Sequence, residues 1–323
     1  MLINRQGLNL PGAKISAPAM SAIDRENAIW AAKAEIDFVG LSFVRQPHEV
    51  RQLKELLKSH GSQAKVISKI EKQEALDALD EIVEASDGVM VARGDLGVEI
   101  DVARTPVEQK RIIATCHRRH KPVIVATQML DSMRKSVQPT RAEVADVANA
   151  ILDGADACML SGETAIGDHP ALCVEMMNRI ALATEPLVKQ RPAQLVNPPL
   201  EDLHRVTEAV VNGMAFIAEQ LQAGMIVAAT HSGATALALS KQRGPAPIIG
   251  VTDVEMVLRQ MCLYWGVTPL AGVPARASDR LLERVEQWGK EQGLLRPGDY
   301  MLLVSAIGIV ASGHNMLVVH EVR

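Results

Sequence analysis

Charged residues follow two neighbouring apolar runs, and their types suit the binding of a metal ion beside a phosphate. The first run, 66–71, closes on Lys69 and Glu71, and the second, 88–92, is followed by Asp95. Alternate side chains of a strand point to the same face, so Lys69 and Glu71 share one face. Mg²⁺ takes oxygen ligands, often one or two carboxylates with waters and substrate oxygens. The spacing alone favours an alternative, in which Lys69 and Glu71 are a structural pair and Asp95 caps the next helix.

The segment between these two runs has the spacing of a helix. Aliphatic side chains recur there at helical intervals and would lie on one stripe. They are Leu76, Leu79, Ile82 and Val83. The order is therefore strand, helix, strand, with charge at the carboxyl end of each strand. In parallel α/β folds, binding sites lie at that end of the sheet.

The same unit recurs through the first half of the chain. A polar residue ends each apolar run, and the intervals between these residues are 26, 32 and 34 positions. The residues are Lys69, Asp95, Thr127 and Ser161. The candidate strands are 13–20, 37–43, 66–71, 88–92, 121–128 and 157–164. They predict α/β architecture with an incomplete TIM (β/α) barrel in residues 1–185, since a closed barrel has eight strands.

Two further regions follow the barrel. Residues 186–200 are rich in proline and polar side chains, which predicts a linker. Residues 201–323 contain further apolar runs that alternate with helical patterns, which predicts a smaller α/β domain. The runs are 224–230, 247–252, 300–306 and 316–322.

Small polar residues follow the first of those runs, at the start of a predicted helix. They are Thr230, Ser232, Gly233 and Thr235. Hydroxyl and N–H groups at a helix start can bind a phosphate, because that end of the helix carries partial positive charge. The alternative, which we favour, is that Thr230 or Ser232 simply caps the helix.

The composition argues against several classes of protein. The 323 residues are 48% hydrophobic and 2% aromatic, which predicts aliphatic cores. The formal net charge of −4, without a basic patch, argues against nucleic acid as a partner. The four cysteines form no CxxC pair, which is typical of reduced thiols in a cytoplasmic protein. We expect neither a signal peptide nor a membrane span, because the apolar runs are too short.

Several longer motifs resemble those of pyruvate kinases, in the same order along the chain. They are GLNLPG (7–12), ISKIEKQEAL (67–76), EASDGVMVARGDLGVEI (84–100), KPVIVATQMLDSM (121–133) and QPTRAEVADVANAILDGADACMLSGETA (138–165). The resemblance covers essentially the whole chain, including PIIGVT (247–252) in the second domain. It implies a TIM-barrel phosphotransferase that moves a phosphoryl group between phosphoenolpyruvate and ADP, giving pyruvate and ATP. It also implies a need for Mg²⁺ and usually K⁺.

The resemblance assigns roles to the residues at the strand ends. Lys69 would neutralise the phosphoryl group during transfer, and Glu71 and Asp95 would bind Mg²⁺. The backbone N–H groups of Gly94 and Asp95, with the Thr127 hydroxyl, would hold the substrate carboxylate. These roles suit a reaction that depends on positioning and charge neutralisation more than on covalent help.

The same family pattern suggests a route for a proton. Thr127 and Ser161 would relay a proton to the enolate, and Glu163 would orient them. The alternative is that both hydroxyls satisfy backbone groups of their loops. Catalytic geometry is invisible in a sequence, and we favour the structural alternative at this point.

The chain departs from the family pattern at its N-terminus. The family has two further βα units and a lid domain before the motif that stands here at 7–12. The groups that the family uses for the phosphate and K⁺, an arginine, an asparagine, a serine and an aspartate, therefore have no counterpart. Gln6 stands where relatives often carry a lysine that faces the nucleotide. We expect the 323-residue chain alone to be a poor catalyst.

Three functions are compatible with these observations. The first is a pyruvate kinase-type phosphotransferase, which we expect to be cytoplasmic and homo-oligomeric. The second is a non-catalytic protein that binds phosphoenolpyruvate or a sugar phosphate. The third is a Mg²⁺-dependent enzyme acting on a pyruvate enolate, such as a decarboxylase. Lys69 favours the first over the third, because an enolate reaction without phosphate needs that charge less. The lost nucleotide side favours the other two, and we adopt the first.

Overall fold

The computed structural model describes residues 19–189, 205–272, 279–305 and 316–323. The chain divides into two compact units, Met1–Ala183 and Thr184–Arg323. The predicted strand at 13–20, except for its last two residues, and the motif at 7–12 with Gln6 lie outside the described residues. Among the helices in the described ranges, none is long and apolar enough to cross a membrane.

A parallel β-sheet forms the centre of the first unit, and its strands neighbour one another in sequence order. The strands are β1 (Phe38–Leu41), β2 (Lys65–Ile70), β3 (Gly88–Ala92), β4 (Val123–Ala126) and β5 (Ala157–Met159). In the register, Leu41 is opposite Ser68 and Val91 is opposite Val125. Because all the strands run in one direction, their carboxyl ends meet at one edge of the sheet. The predicted α/β repeat is therefore confirmed.

Helices precede, connect and follow the strands of this sheet. They are α1 (Ala22–Lys33), α2 (Pro47–Ser59), α3 (Gln73–Asp77), α4 (Leu79–Ala85), α5 (Arg93–Glu99), α6 (Thr105–Arg118), α7 (Arg141–Asp153), α8 (Gly162–Ala165) and α9 (Pro170–Lys189), with 3₁₀ turns at Val102–Arg104 and Asp131–Arg134. The hydroxyls of Ser21 and Thr140 cap α1 and α7 in full capping boxes. The helical segment after β2 breaks at Ala78 into α3 and α4. All four residues of its apolar stripe are nevertheless buried.

The core of the first unit is aliphatic. The strand residues Val66, Ile70, Val89, Val91 and Val123 are all fully buried. Parallel strands have continuous apolar sequences because helices cover both faces of the sheet. Each such side chain contributes about 1.5–3 kcal/mol by leaving water. This packing fixes the strands whose ends carry the candidate site.

Helix α9 runs further than the sequence predicts. It ends at Lys189 and so includes 186–189, the first residues of the predicted linker. Proline removes one N–H donor from a helix and crowds the preceding turn. Pro186 lies in the last turn of α9, and only three residues of the helix follow it. The helix therefore continues through the proline to its end. Residues 190–204 lie outside the described ranges.

The second unit contains a sheet of order β10-β9-β6-β7-β8, in which only β10 is antiparallel to its neighbour. Its strands are β6 (Met225–Ala229), β7 (Ile248–Val251), β8 (Val267–Leu270), β9 (Tyr300–Ser305) and β10 (Met316–Glu321). Its helices are α10 (Arg205–Gln220), α11 (Ala234–Lys241), α12 (Glu255–Met261) and α13 (Asp279–Glu291). Strand β8 was not predicted from the sequence because it contains Pro269, which cannot donate to a ladder and is tolerated on this edge strand.

Candidate active site

Lys69 and Glu71 form an ion pair at the carboxyl end of β2. Lys69 Nζ lies 2.6 Å from Glu71 Oε1 and donates a hydrogen bond to Ser42 Oγ at 2.8 Å. The Glu71 side chain is fully buried, and its Oε2 accepts the backbone N–H of Phe43 at 2.7 Å. The Lys69 side chain keeps 27% of its exposure. The carboxylate of the pair is therefore buried and fixed by the backbone, while the ammonium remains partly exposed to solvent.

Ser42 is a member of this cluster that the sequence analysis did not nominate. It belongs to the loop after β1, and β1 is the neighbour of β2 in the sheet. The signal was present in the sequence, because Ser42 stands at the end of the apolar run 37–43 as Lys69 stands at the end of the next. Applying the strand-end rule to every run would have found it.

Asp95 lies in the first turn of α5, which begins directly after β3. Since β2 and β3 are parallel neighbours, Asp95 and Glu71 follow adjacent strands at the same edge. Within the ranges that the structure describes, no group of three or more His, Cys, Asp or Glu side chains could hold a metal ion. Mg²⁺ is usually bound by one or two carboxylates together with waters and substrate phosphates, rather than by an all-protein cage. The donor set at this edge fits that mode of binding.

Thr127 follows β4 in an unusual backbone conformation. Its φ angle is +70°, and that of Gln128 is +55°. A β-branched residue in the left-handed region is rare, and each such residue costs on the order of 1–3 kcal/mol. The Thr127 hydroxyl accepts the N–H of Gly94 at 2.7 Å and lies 2.6 Å from the Ala126 carbonyl, to which it donates. The predicted carboxylate-binding groups Gly94 and Thr127 are therefore brought together, bonded to each other.

Glu163 fastens two neighbouring loops. Its side chain is buried, Oε1 accepts the N–H of Leu130 at 3.0 Å, and Oε2 accepts the N–H of Ser161 at 2.8 Å. Glu163 thus holds the backbone of Ser161 rather than its hydroxyl. The Ser161 Oγ is buried and has no hydrogen-bond partner among the described residues. Such a hydroxyl can donate its proton to a ligand.

Two groups near the end of β4 and β5 have shifted pKa values. Burial raises the pKa of the Glu143 carboxyl, but hydrogen bonds from Ser132 and Thr140 outweigh it, and the pKa is lowered overall. This carboxylate ties Ser132, in the loop after β4, to the start of α7. Burial raises the pKa of the Cys158 thiol to about 11. A thiol with that pKa is protonated at neutral pH, whereas the thiolate is the nucleophilic form.

A cleft of about 670 Å³ lies beside α5, α6 and α7. Its lining includes Arg93, Gly94 and Gln128 but not Lys69 or Glu71. The cleft therefore reaches the back of the strand-end loops rather than the ion pair.

The predicted capping residues Thr230 and Ser232 contact the start of α11, but the N-cap residue of that helix is Gly233, which makes no side-chain cap. Thr230 Oγ1 accepts the N–H of Gly233 at 3.1 Å, and Ser232 Oγ accepts the N–H of Ala234 at 3.4 Å. Gly233 has a φ of +80°, and Thr230 and Thr235 are buried. A phosphate at this position would have to replace the hydroxyls at these N–H groups. Phosphate binding here stays a prediction.

The chain is similar to known protein families over nearly its whole length. Residues 1–174 match the family model described as pyruvate kinase, barrel domain, and residues 208–320 match the one described as pyruvate kinase, alpha/beta domain. The pyruvate kinase of Sporosarcina psychrophila is 42% identical over 325 residues, which cover 99% of this chain and 55% of that protein.

Other curated relatives give the same result. The pyruvate kinase of Geobacillus stearothermophilus is 41% identical over 324 residues, covering 100% of this chain and 55% of that protein. The pyruvate kinase of Clostridium acetobutylicum is 40% identical over 322 residues, covering 99% of this chain and 68% of that protein. The chain thus spans little more than half the length of the first two relatives and about two thirds of the third.

Proposed function

The chain belongs to the pyruvate kinase family, and we propose that it transfers a phosphoryl group between phosphoenolpyruvate and ADP. The observation that carries the proposal is the Lys69 ammonium, which Glu71 and Ser42 hold at the edge where Asp95 and Thr127 also stand. In this reaction the bond between phosphorus and the enolate oxygen breaks, and an oxygen of ADP forms the new bond to phosphorus. The enolate then takes up a proton at carbon and becomes pyruvate.

Lys69 supplies positive charge that neutralises the phosphoryl group during its transfer. Phosphoryl transfer is catalysed mainly by positioning and by charge placed in advance where negative charge develops. The ion pair with Glu71 and the hydrogen bond to Ser42 restrict the ammonium to one position. The side chain keeps enough exposure to meet a phosphate oxygen.

Glu71 and Asp95 would hold Mg²⁺. The ion supplies positive charge that neutralises substrate oxygens. Together, Glu71, Asp95 and Lys69 carry a net negative charge, which favours a cation before the substrate arrives. Dependence on K⁺ is an expectation that comes from the family, and we propose no ligand for it among the described residues.

Gly94, Thr127 and Ser161 supply the remaining groups. The Gly94 N–H and the Thr127 hydroxyl would bind the substrate carboxylate by exchanging their mutual hydrogen bond for bonds to the ligand. Ser161 would deliver the proton to the enolate, since its hydroxyl has no partner among the described residues. Glu163 fixes Ser161 through its backbone N–H. Thr127 would complete the relay.

The proposal includes a cytoplasmic, homo-oligomeric protein. Its four cysteines are free: Cys116, Cys158, Cys173 and Cys262. Free thiols are typical of a reducing compartment. Size-exclusion chromatography with light scattering would measure the oligomeric state, and a monomer at micromolar concentration would contradict that part of the proposal.

The test compares Lys69→Met with Lys65→Met. Lys65 stands in the same strand, at the end away from the site, so Lys65→Met makes the same chemical change without touching the ion pair. Phosphoenolpyruvate binding with Mg²⁺ is measured by calorimetry, and pyruvate formation with ADP is measured in a coupled assay. We expect Lys69→Met to weaken phosphoenolpyruvate binding and to abolish any turnover, while Lys65→Met behaves as the wild type.

Two outcomes would support the other functions. Binding of phosphoenolpyruvate that resists Lys69→Met, with no turnover in any variant, would favour a non-catalytic binding protein. Mg²⁺-dependent release of CO₂ from oxaloacetate without nucleotide, unchanged in Lys69→Met, would favour an enolate enzyme. Either result would overturn the proposed phosphoryl transfer.

A further inference from the structure

Arg93 donates hydrogen bonds to the strained backbone of Thr127 and Gln128. Its Nη2 donates to the Thr127 carbonyl at 2.8 Å and to the Gln128 carbonyl at 3.2 Å, and its Nε donates to the Thr127 carbonyl at 3.2 Å. Both residues have left-handed φ angles. A backbone in this region persists only where its surroundings over-determine it. The guanidinium provides three such bonds from a single rigid group.

Asp146 fixes the other end of the same guanidinium. Its two carboxylate oxygens lie 2.8 Å and 2.6 Å from Arg93 Nη1. Asp146 belongs to α7, 53 residues further along the chain, and its side chain is 36% exposed while that of Arg93 is 10% exposed. An arginine is always charged in a protein, so its burial calls for a carboxylate partner. In the described part of the chain, Asp146 is the acidic residue that pairs with Arg93.

Arg93 is linked to the candidate site through the next residue in the chain. Gly94, the residue after Arg93, donates its N–H to the Thr127 hydroxyl at 2.7 Å. The segment 93–94 therefore holds Thr127 twice, through its carbonyl and through its hydroxyl. A shift of Arg93 would move both bonds together.

We infer that Asp146 is a positioning residue, which sets the Thr127 hydroxyl by holding Arg93 against the left-handed backbone of Thr127 and Gln128. This inference rests on the proposed function, because it assumes that Thr127 binds the substrate carboxylate. The hydrogen bonds of Asp146 that the structure shows run to Arg93. Asp146 acts through Arg93.

The experiment uses Asp146→Asn in the full chain, with Asp146→Glu as the conservative variant. Asp153→Asn is the matched control, since it removes a carboxylate from the last residue of the same helix, where the ion-pair partner is Lys110 instead of Arg93. Two readouts are measured. Amide hydrogen exchange of 123–134 reports the backbone, and calorimetric binding of oxalate with Mg²⁺, a mimic of the enolate, reports the site.

We expect Asp146→Asn to speed exchange in 123–134 and to weaken oxalate binding by about tenfold, the coupling typical of directly connected residues. Asp146→Glu should recover part of both effects, and Asp153→Asn should show neither. In a Thr127→Val background, Asp146→Asn should change oxalate affinity less than about twofold, because its effect passes through the Thr127 hydroxyl. A merely structural role would give additive effects instead.

Unchanged exchange in 123–134 on Asp146→Asn would overturn the inference, whether or not oxalate binds. Faster exchange with unchanged oxalate affinity would also overturn it, because the positioning would then not reach the site. A wild-type chain that binds no oxalate with Mg²⁺ would refute the proposed function instead. The exchange measurement would still decide whether Asp146 holds this backbone.

Discussion

Replacing Glu71 with glutamine separates its structural role from its role as a metal ligand. The amide can still accept the N–H of Phe43, but it loses the charge opposite Lys69, 2.6 Å away. Exposed ion pairs contribute about 0.2–1 kcal/mol, and breaking a buried pair costs about 3–5 kcal/mol. Because Lys69 keeps 27% of its exposure, we expect an intermediate loss of about 1–3 kcal/mol without metal.

Magnesium should then distinguish the variants. A ligand at 100 times its Kd stabilises the folded state by about 2.7 kcal/mol. For a unit of this size that corresponds to a rise in Tm of about 5–10 °C. We expect MgCl₂ to raise the Tm of the wild type by this order and to leave the Tm of Glu71→Gln nearly unchanged. Thermal unfolding followed by circular dichroism, with and without MgCl₂, measures both.

Glu99→Gln is the matched control. Glu99 is another buried carboxylate, and it pairs with Lys72 at 2.9 Å. We expect Glu99→Gln to lose stability as Glu71→Gln does, yet to keep the full magnesium-dependent rise. An equal rise in Glu71→Gln and the wild type would refute the assignment of Glu71 as a ligand. A rise lost in both variants would show that the effect reflects general destabilisation.

Two further predictions concern Thr127 and Glu286. Thr127→Val removes the hydroxyl that would bind the substrate carboxylate, and we expect oxalate binding with Mg²⁺ to weaken by about 1–3 kcal/mol in calorimetry; an unchanged Kd would contradict the pocket. The hydrogen bond from Lys290, together with His320, lowers the pKa of Glu286. Its contribution to the free energy of unfolding is therefore present above its unfolded pKa and is lost as the pH falls through the lower folded pKa. In urea unfolding, Glu286→Gln should therefore reduce stability at pH 7 and reduce its loss on acidification below about pH 4.5, the ordinary value; identical pH profiles would contradict this.

The strands β1 to β5 were predictable because parallel strands buried on both faces have largely apolar sequences. Strands β3 and β4 contain no polar residue, whereas β2 carries Lys65, Ser68 and Lys69 among its apolar residues. The helix caps at Ser21 and Thr140 were also predictable, since a capping box is a local contact over three residues. Local rules succeed where the contacts are local.

Other features depend on contacts that a sequence does not show. The partner of Arg93 is Asp146, which stands 53 positions away and is one of many acidic residues in the chain. The left-handed backbone of Thr127 contradicts the preference of a β-branched residue, so local propensity predicts the opposite. The continuation of α9 through Pro186 likewise goes against a local rule. Each exception needs the tertiary structure to explain it.

Hydrogen bonds from strand residues to aspartates lock neighbouring strands at the edge opposite the candidate site. Asp87, just before β3, accepts the N–H of Val66 in β2 at 2.8 Å. Asp156, just before β5, accepts the N–H of Val123 in β4 at 2.7 Å. These aspartates have no place in the proposed chemistry. Their bonds fix the register of neighbouring strands. The register in turn sets how far the residues at the carboxyl ends of the strands extend relative to one another.

The candidate site uses the same type of bond with side chains that also have chemical roles. In each case a backbone N–H of one strand-end loop donates to a side-chain oxygen of the loop that follows a neighbouring strand. The bonds run from Phe43 to Glu71, from Gly94 to Thr127 and from Leu130 to Glu163. Side chains held in this way keep their positions before a ligand arrives, which phosphoryl transfer requires. Since the same oxygens fasten the loops and would meet the substrate or its metal, a substitution there changes stability and binding together.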